Sequence, residues 1–301
     1  NPERSGISDY MEELLPALTE HAEIDLVTRG YSPTTAYVRD NFRTLNPQQF
    51  LAIRDQYDAA VYQIGNHLDF HGYMLPCMKE VPGVVVLHDY SLGYLMLGLT
   101  LARGDFASLV RILEHEFGAE ASTVARQALL GQIDPYRLPL VRPIVEMSTG
   151  ILVHNLFTRD KLLARYPDPP VEVVWHATPT REALPDPFAV RRRYGIPESD
   201  FVVVSVSRLG VNKRLDLAIG AIGELVKSVP QVRFVIVGEG NLGAEAEALI
   251  DRLQLAKHIT RTGWVSAEQY LDYIDLADAA VDLRTPGSGE TSGGSLRLLQ
   301  A

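Results

Sequence analysis

The chain has 301 residues, 46% of them apolar and 22% charged, and its 28 Lys and Arg against 38 Asp and Glu give a formal net charge of −10. That length is large for one hydrophobic core and suits two domains of ordinary size. The acidic excess is shared, 18 basic against 24 acidic residues in 1–194 and 10 against 14 in 195–301. Neither half therefore offers the field that nucleic acid needs, and a phosphate must be met by a few placed cations.

The opening stretch "NPERSGISDY" is no signal peptide, and no apolar run reaches membrane-spanning length. The single cysteine, Cys77, excludes an internal disulfide framework and fits a reducing compartment. The expectation is a cytoplasmic protein. Along the chain, short Val- and Ile-rich runs at 22–29, 58–66, 81–89, 150–155 and 171–177 predict strands. They are continuous rather than alternating, which suits strands buried on both faces of a parallel sheet. Helical patterns such as "DYMEELLPALTEH" and "FASLVRILEHEF" lie between them.

A Pro-spaced stretch, 178–200, reads as a linker running into a short helix. The rhythm then restarts, with predicted strands at 201–209, 233–241, 259–265 and 279–284 alternating with "RLDLAIGAIGELVKSV", "GAEAEALIDRLQL" and "SAEQYLDYIDLA". Two successive βα arrays predict an α/β protein with two doubly wound, Rossmann-like domains facing across a cleft. The expected division is 1–183, a linker at 184–200, and 201–301. Both ends read as cut: a first strand should precede the opening helix, and the second array stops inside the helix after its fourth strand.

In open α/β sheets ligands sit beyond the carboxyl ends of the strands. After "FVVVSVS" come Arg208 and, five residues on, Lys213. With a helix N-terminus near Arg214, capped by Asn212 or a neighbour, these cations would hold a diphosphate without metal. A solvated surface pair is the ordinary fate of Arg and Lys; the strand-end position favours the site. "GEGNLG" at 238–243 matches G-x-G-x-x-G, but the next strand ends "TGWV" without the acid that a dinucleotide site requires, so tight turns are the better reading and no NAD is expected.

Glu290 stands alone in a Gly/Ser loop. Its flexible neighbours let backbone approach a ligand, and the N–H groups of 291–294 can cradle an anion. A carboxylate beside that cradle could hold sugar hydroxyls, although an acid near a helix N-terminus also serves the helix dipole. In the first half two strands end in polar pairs, Gly65 with Asn66 and His88 with Asp89. His154 and His176 are weaker candidates of the same kind. His67, Asp69 and His71 have metal-like spacing but lack a third strong ligand, so a structural role is favoured and no metal is expected. No nucleophile elbow or P-loop is present.

Taken in order, "SRLGVNKRLDLAI", "RFVIVGEG", "TGWVSAEQYLDYIDLADAAVDLR" and "GETSGGSLRLL" resemble the donor-binding domain of glycosyltransferase family 4, retaining enzymes of the GT-B fold. "SGISDYMEELLPAL", "YQIGN" and "PGVVVLHD" resemble its other domain, so the likeness covers nearly the whole chain. It implies transfer of a sugar from a UDP-, GDP- or ADP-linked donor to a carbohydrate or lipid-linked acceptor, with no cofactor. Arg208 and Lys213 would neutralise the diphosphate, Glu290 would contact the donor sugar, and the amides of Thr291, Ser292, Gly293 and Gly294 would complete the phosphate cradle. Backbone near Val265 would meet the base, His88 would reach the sugar from the other domain, and Gly6 would belong to a glycine loop over the phosphates. Asn66, Asp89 and His154 are the acceptor-side candidates.

One departure stands out: the motif's second acid would fall at Leu298, which cannot accept a hydroxyl hydrogen bond. That substitution favours the alternative of a non-catalytic protein binding sugar nucleotides or glycans. Peripheral docking on the inner face of the membrane is common in such enzymes, and Arg191–Arg193 is the only basic cluster offered for it.

Overall fold

A computed structural model describes residues 5–181 and 183–301; the start of the "NPERSGISDY" stretch lies outside them. The chain divides into two compact units, one of residues 1–177 with 287–291, the other of 178–286 with 292–301.

In the first unit, β1 (Leu26–Val27) pairs in parallel with β2 (Thr44–Leu45), a short strand that the sequence pattern does not announce. This pair is a sheet of its own. The main sheet holds β3 (Val61–Ile64), β4 (Gly83–Leu87), β5 (Ser148–Val153) and β6 (Val171–Val173), all parallel and in that spatial order. Ile64, Val85, Leu87, Ile151 and Val153 of these strands are buried in one apolar cluster with Met78, Leu95, Leu113 and Ile144. Each such side chain contributes about 1.5–3 kcal/mol on burial. The helix Phe106–Phe117 starts at Asp105, whose carboxylate accepts the Ser108 N–H.

The second unit is a four-stranded parallel sheet of β7 (Phe201–Val206), β8 (Val232–Val237), β9 (Ile259–Gly263) and β10 (Ala279–Ala280), in the order β10-β7-β8-β9. Its continuous apolar runs are explained by its two faces. Val203, Phe234 and Ile236 pack on one side against Leu215, Ile219 and Ile222 of helix Leu215–Leu225 and Ile250 of helix Ala244–Arg252. Val202, Val204, Val206, Val235 and Val237 pack on the other against Val190, Ile196, Ile274 and Leu276. Successive strand residues point to opposite faces, so a strand covered twice is apolar nearly throughout; Ser205 in β7 and Arg233 in β8, which pairs with Asp200, are the exceptions. The short helix Pro187–Arg193, within the stretch expected as a linker, belongs to this second core through Val190.

Candidate functional site

In each unit several of the residues singled out in the sequence follow the carboxyl ends of strands, Asn66, His88 and His154 in the first and Arg208 in the second. In the second unit the exits of three strands are laced together. Ser207 N–H donates to Val237 O at 3.0 Å, Leu209 N–H to Glu239 O at 2.8 Å, and Gly238 N–H to Gly263 O at 3.1 Å. Gly238 and Gly240 have φ of +135° and +133°, and a Cβ on either would lie 2.0 Å from Ser207 O or 2.5 Å from Leu209 O. These glycines are required by backbone pressing on backbone, which accounts for the first two of the G-x-G-x-x-G match; the third, Gly243, has a φ of +89° and open space around it. Beside them a cavity of about 550 Å³ is lined by Leu209, Gly238, Glu239, Gly240, Asn241, Leu242, Glu247, Arg261 and Gly263.

Arg208 lies on this rim, two residues beyond β7. It is exposed, and no hydrogen bond or ion pair engages it among the described residues. Its neighbour Arg214 is held by Asp216 at 2.8 Å. Lys213 closes a 3-10 turn, Val211–Lys213. The following helix, Leu215–Leu225, starts from Arg214 in a left-handed conformation with no side-chain cap, so the capping expected of Asn212 or a neighbour is absent. Val265 packs its side chain into the core.

The loop before the last helix, Gly293–Leu298, is built by hydroxyls. Ser292 caps Ser295 N at 3.1 Å, and its Oγ also donates to Asp282 at 2.8 Å and accepts from Arg284 at 2.7 Å. Ser295 Oγ bonds to the same Asp282 carboxylate oxygen. A Cβ on Gly294 would stand 3.0 Å from Val206 O, so the start of this helix sits at the end of β7. Leu298 packs against the apolar cluster of Val202, Val204 and Ile274.

Residues 287–291 belong to the first unit. There Ser288, 3% exposed, bridges two acids: its Oγ lies 2.6 Å from Asp89 Oδ1 and 2.7 Å from Glu290 Oε2, and its N–H donates to Glu290 Oε2 at 2.6 Å. Asp89 Oδ2 accepts the Asn66 N–H at 2.7 Å, and Asn66 Oδ1 accepts the Leu95 N–H at 3.1 Å. Asn66 Nδ2 is buried with no hydrogen-bond partner among the described residues. Asn155 Nδ2 and Thr158 Oγ1 each donate to Gly289 O at 3.0 Å, and Thr291 Oγ1 reaches His154 O at 3.3 Å. Burial, then the charges of Tyr94, Asp89, Glu290 and Asp134, push the Tyr136 phenol up to about 12.

Behind these acids lies a packed group of imidazoles. His88 stands with its ring centroid 4.8 Å from that of His154 and 5.4 Å from that of Tyr10, and His176 lies 5.2 Å from His154. Burial first, then the neighbouring His154, His71 and His176, hold His88 well below the ordinary histidine value. Burial likewise lowers His154, whose Nδ1 is 2.8 Å from Val174 O. His71 turns inward, Nδ1 to Gln63 O at 2.9 Å, and burial lowers it to about 4; His67 stacks on Phe70 at 4.3 Å. Asp69 stands in the first turn of the same short helix, Leu68–His71.

Gly6 opens the helix Gly6–Leu18 rather than lying in a loop, and a Cβ there would meet nothing within 4 Å. Sequence reasoning missed Ser288, Gln63, Tyr10 and the Asp282–Arg284 pair. A polar residue at an inward strand position was the available signal for Gln63.

The two strand-end constellations take their context from known proteins. Residues 188–285 match the family described as Glycosyl transferases group 1. Over 180 residues the chain is 30% identical to the GDP-mannose-dependent alpha-(1-6)-phosphatidylinositol monomannoside mannosyltransferase of Mycolicibacterium smegmatis, covering 58% of this chain and 44% of that protein. Over 97 residues it is 30% identical to the alpha-monoglucosyldiacylglycerol synthase of Acholeplasma laidlawii, covering 32% and 24%. The aligned segments thus span less than half the length of these two relatives.

Among solved structures, Anabaena Alr3699/HepE in complex with UDP-glucose superposes with a TM-score of 0.64 at 14% identity, over 100% of this chain and 76% of that one. Sucrose-phosphate synthase from Thermosynechococcus elongatus gives 0.63 at 16%, over 98% and 73%. The two Rossmann-like units are those of the GT-B fold. Among the described residues no helix is long and apolar enough to cross a membrane.

Proposed function

We propose that the protein is a retaining hexosyltransferase of glycosyltransferase family 4, moving a sugar from a nucleotide diphosphate-sugar to a glycan or lipid-linked acceptor. The observation that carries this reading is Arg208: an exposed guanidinium with no partner among the described residues, on the rim where the strand exits converge. A fixed cation with no internal acid to neutralise it is suited to a diphosphate. Lys213 and the amides of Thr291, Ser292, Gly293 and Gly294 would add to it, and backbone at Val265 would take the base.

In the reaction the bond from the anomeric carbon to the leaving phosphate oxygen breaks. An acceptor oxygen bonds to that carbon on the same face, and the acceptor's proton passes to the leaving phosphate. Negative charge grows on the diphosphate, so preorganised cations act where the transition state needs them, and metal is not required. Glu290 and His88 would hold the donor sugar, and Asn66, Asp89 and His154 lie on the acceptor side. The relatives named for phosphatidylinositol mannosides and diacylglycerol favour a lipid-linked acceptor, which would bring the protein to a membrane surface from the cytoplasm. The glycine loop once expected around Gly6 has no part in this reading.

Calorimetric titration with UDP, GDP and ADP tests it. One nucleotide should bind, and Arg208→Ala with Lys213→Ala should weaken it by about tenfold to a hundredfold, the worth of charge-assisted hydrogen bonds. Equal binding by wild type and double variant would refute the diphosphate site.

A further inference from the structure

Gln63 is placed where an apolar residue would be expected. It lies on β3 between Tyr62 and Ile64, which are buried in the main core of the first unit, and its own half-buried side chain points to the opposite face. Its two oxygens face two buried imidazoles: the side-chain Oε1 is 2.7 Å from His88 Nε2, and the main-chain O is 2.9 Å from His71 Nδ1. A carbonyl oxygen can only accept, so His71 Nδ1 donates to the main-chain O, and with the Gln63 amide oxygen turned towards it His88 Nε2 is the donor as well. A neutral imidazole has one N–H, which leaves His88 Nδ1 as a bare lone pair. No group among the described residues engages that Nδ1.

We propose that Gln63 is a positioning residue that holds His88 in the Nε2–H tautomer, so that Nδ1 accepts a hydrogen bond from a hydroxyl of the donor sugar. The proposal rests on the glycosyltransferase reading for the identity of that hydroxyl, and on the structure alone for the tautomer. It has a chemical consequence: a neutral acceptor cannot hold a phosphate oxygen, so His88 reads the sugar and not the diphosphate.

The surroundings favour the same state. Tyr10 from the helix Gly6–Leu18, His154 from the end of β5 and His176 beyond β6 pack with the ring, and His71 from the helix Leu68–His71 adds its charge; the acid next in sequence, Asp89, is taken up by the Ser288 hydroxyl and the Asn66 N–H. Every imidazole that took a proton would oppose a second one beside it. A glutamate at position 63 would reverse this, setting an anion directly against His88 Nε2.

Long-range proton–nitrogen NMR on the full 301-residue chain, with the His88 signals assigned by their loss in His88→Asn, reads the tautomer without any donor. His88 should show a protonated Nε2 and a bare Nδ1 from about pH 5.5 to 8, a window spanning the unperturbed histidine value. A protonated Nδ1 in the wild type overturns the proposal, whatever any variant does.

Gln63→Leu should mix the tautomers and lower kcat for sugar transfer by about tenfold, the factor that follows from about 1.4 kcal/mol of lost orientation, with KM for the donor little changed. Gln63→Glu should keep Nε2 protonated but give transfer a new ionisation near neutral pH. An unchanged tautomer in Gln63→Leu overturns the role of Gln63. A changed tautomer with unchanged transfer overturns the hydroxyl contact of His88. If the wild type binds no nucleotide and transfers nothing, the glycosyltransferase reading has failed, and the NMR result alone decides what Gln63 does.

Discussion

Ser288 has one hydroxyl proton and two carboxylates within 2.7 Å of it. At any moment it donates to Asp89 or to Glu290, while its N–H holds Glu290 throughout. The side chain therefore fixes where Glu290 points and shields two acids from one another. Ser288→Ala should leave the fold intact and lower transfer by roughly tenfold to a hundredfold, since hydrogen bonds to charged groups are worth about 1.5–3 kcal/mol. Steady-state rates on the alanine and threonine variants test this; rates equal to wild type in Ser288→Ala would show that Glu290 needs no such tether. Glu290, Asp89 and His88 were legible in the sequence because they follow strands or stand alone in a glycine loop. Ser288 was not, because one serine in "PGSGETSGG" looks like the next, and only the packed loop shows which one meets Asp89. Arg191–Arg193 teaches the converse. A basic run in the sequence, it is spent on local acids: Arg191 on Asp278, Arg192 on Glu198 and Arg193 on Asp272.

At the scale of elements, the strand cores were legible and their partners less so. β7 and β8 announce themselves because both faces are covered, so that nearly every position is apolar, Ser205 and Arg233 apart. β2 is two residues long and pairs only with β1, which leaves no periodicity to detect. The glycines of "GEGNLG" were visible as turns, but not their tightness. Gly238→Ala would put a methyl 2.0 Å from Ser207 O at a φ of +135°. Backbone cannot yield as a flexible side chain can, and the strained φ alone costs about 1–3 kcal/mol. Chemical denaturation should show a loss of at least that size or no folded protein. A change under about 0.5 kcal/mol, the level of an ordinary surface substitution, would mean the strand exits are not pressed together. Leu298 belongs here too: it packs against Val202 and Val204, so its apolar side chain serves the fold.

For the whole molecule, the buried imidazoles set the response to acid. His71, lowered to about 4, and His88 and His154, lowered by burial, stay neutral in the folded protein, whereas in the unfolded chain each takes a proton near 6.5. The unfolded state thus binds more protons below that value, and stability falls as pH drops from about 6.5 towards 4. Below 4 His71 is protonated in both states and costs nothing further. His71 alone is worth about 3 kcal/mol over that window, from 1.36 kcal/mol per unit. Urea midpoints between pH 7.5 and 4.5 should fall steeply in the wild type and less in His71→Gln; parallel curves would remove His71 from the account.

The sheet order β10-β7-β8-β9 leaves two edges of unlike character. Along β9 the exposed Arg261, paired with Glu247 at 2.6 Å, places charge on the rim, and edge charges discourage the addition of a foreign strand. β10 consists of Ala279 and Ala280, both exposed, and carries no charge of its own. The two rims thus differ in charge: one carries an ion pair of a kind that turns a foreign strand away, the other two small neutral residues.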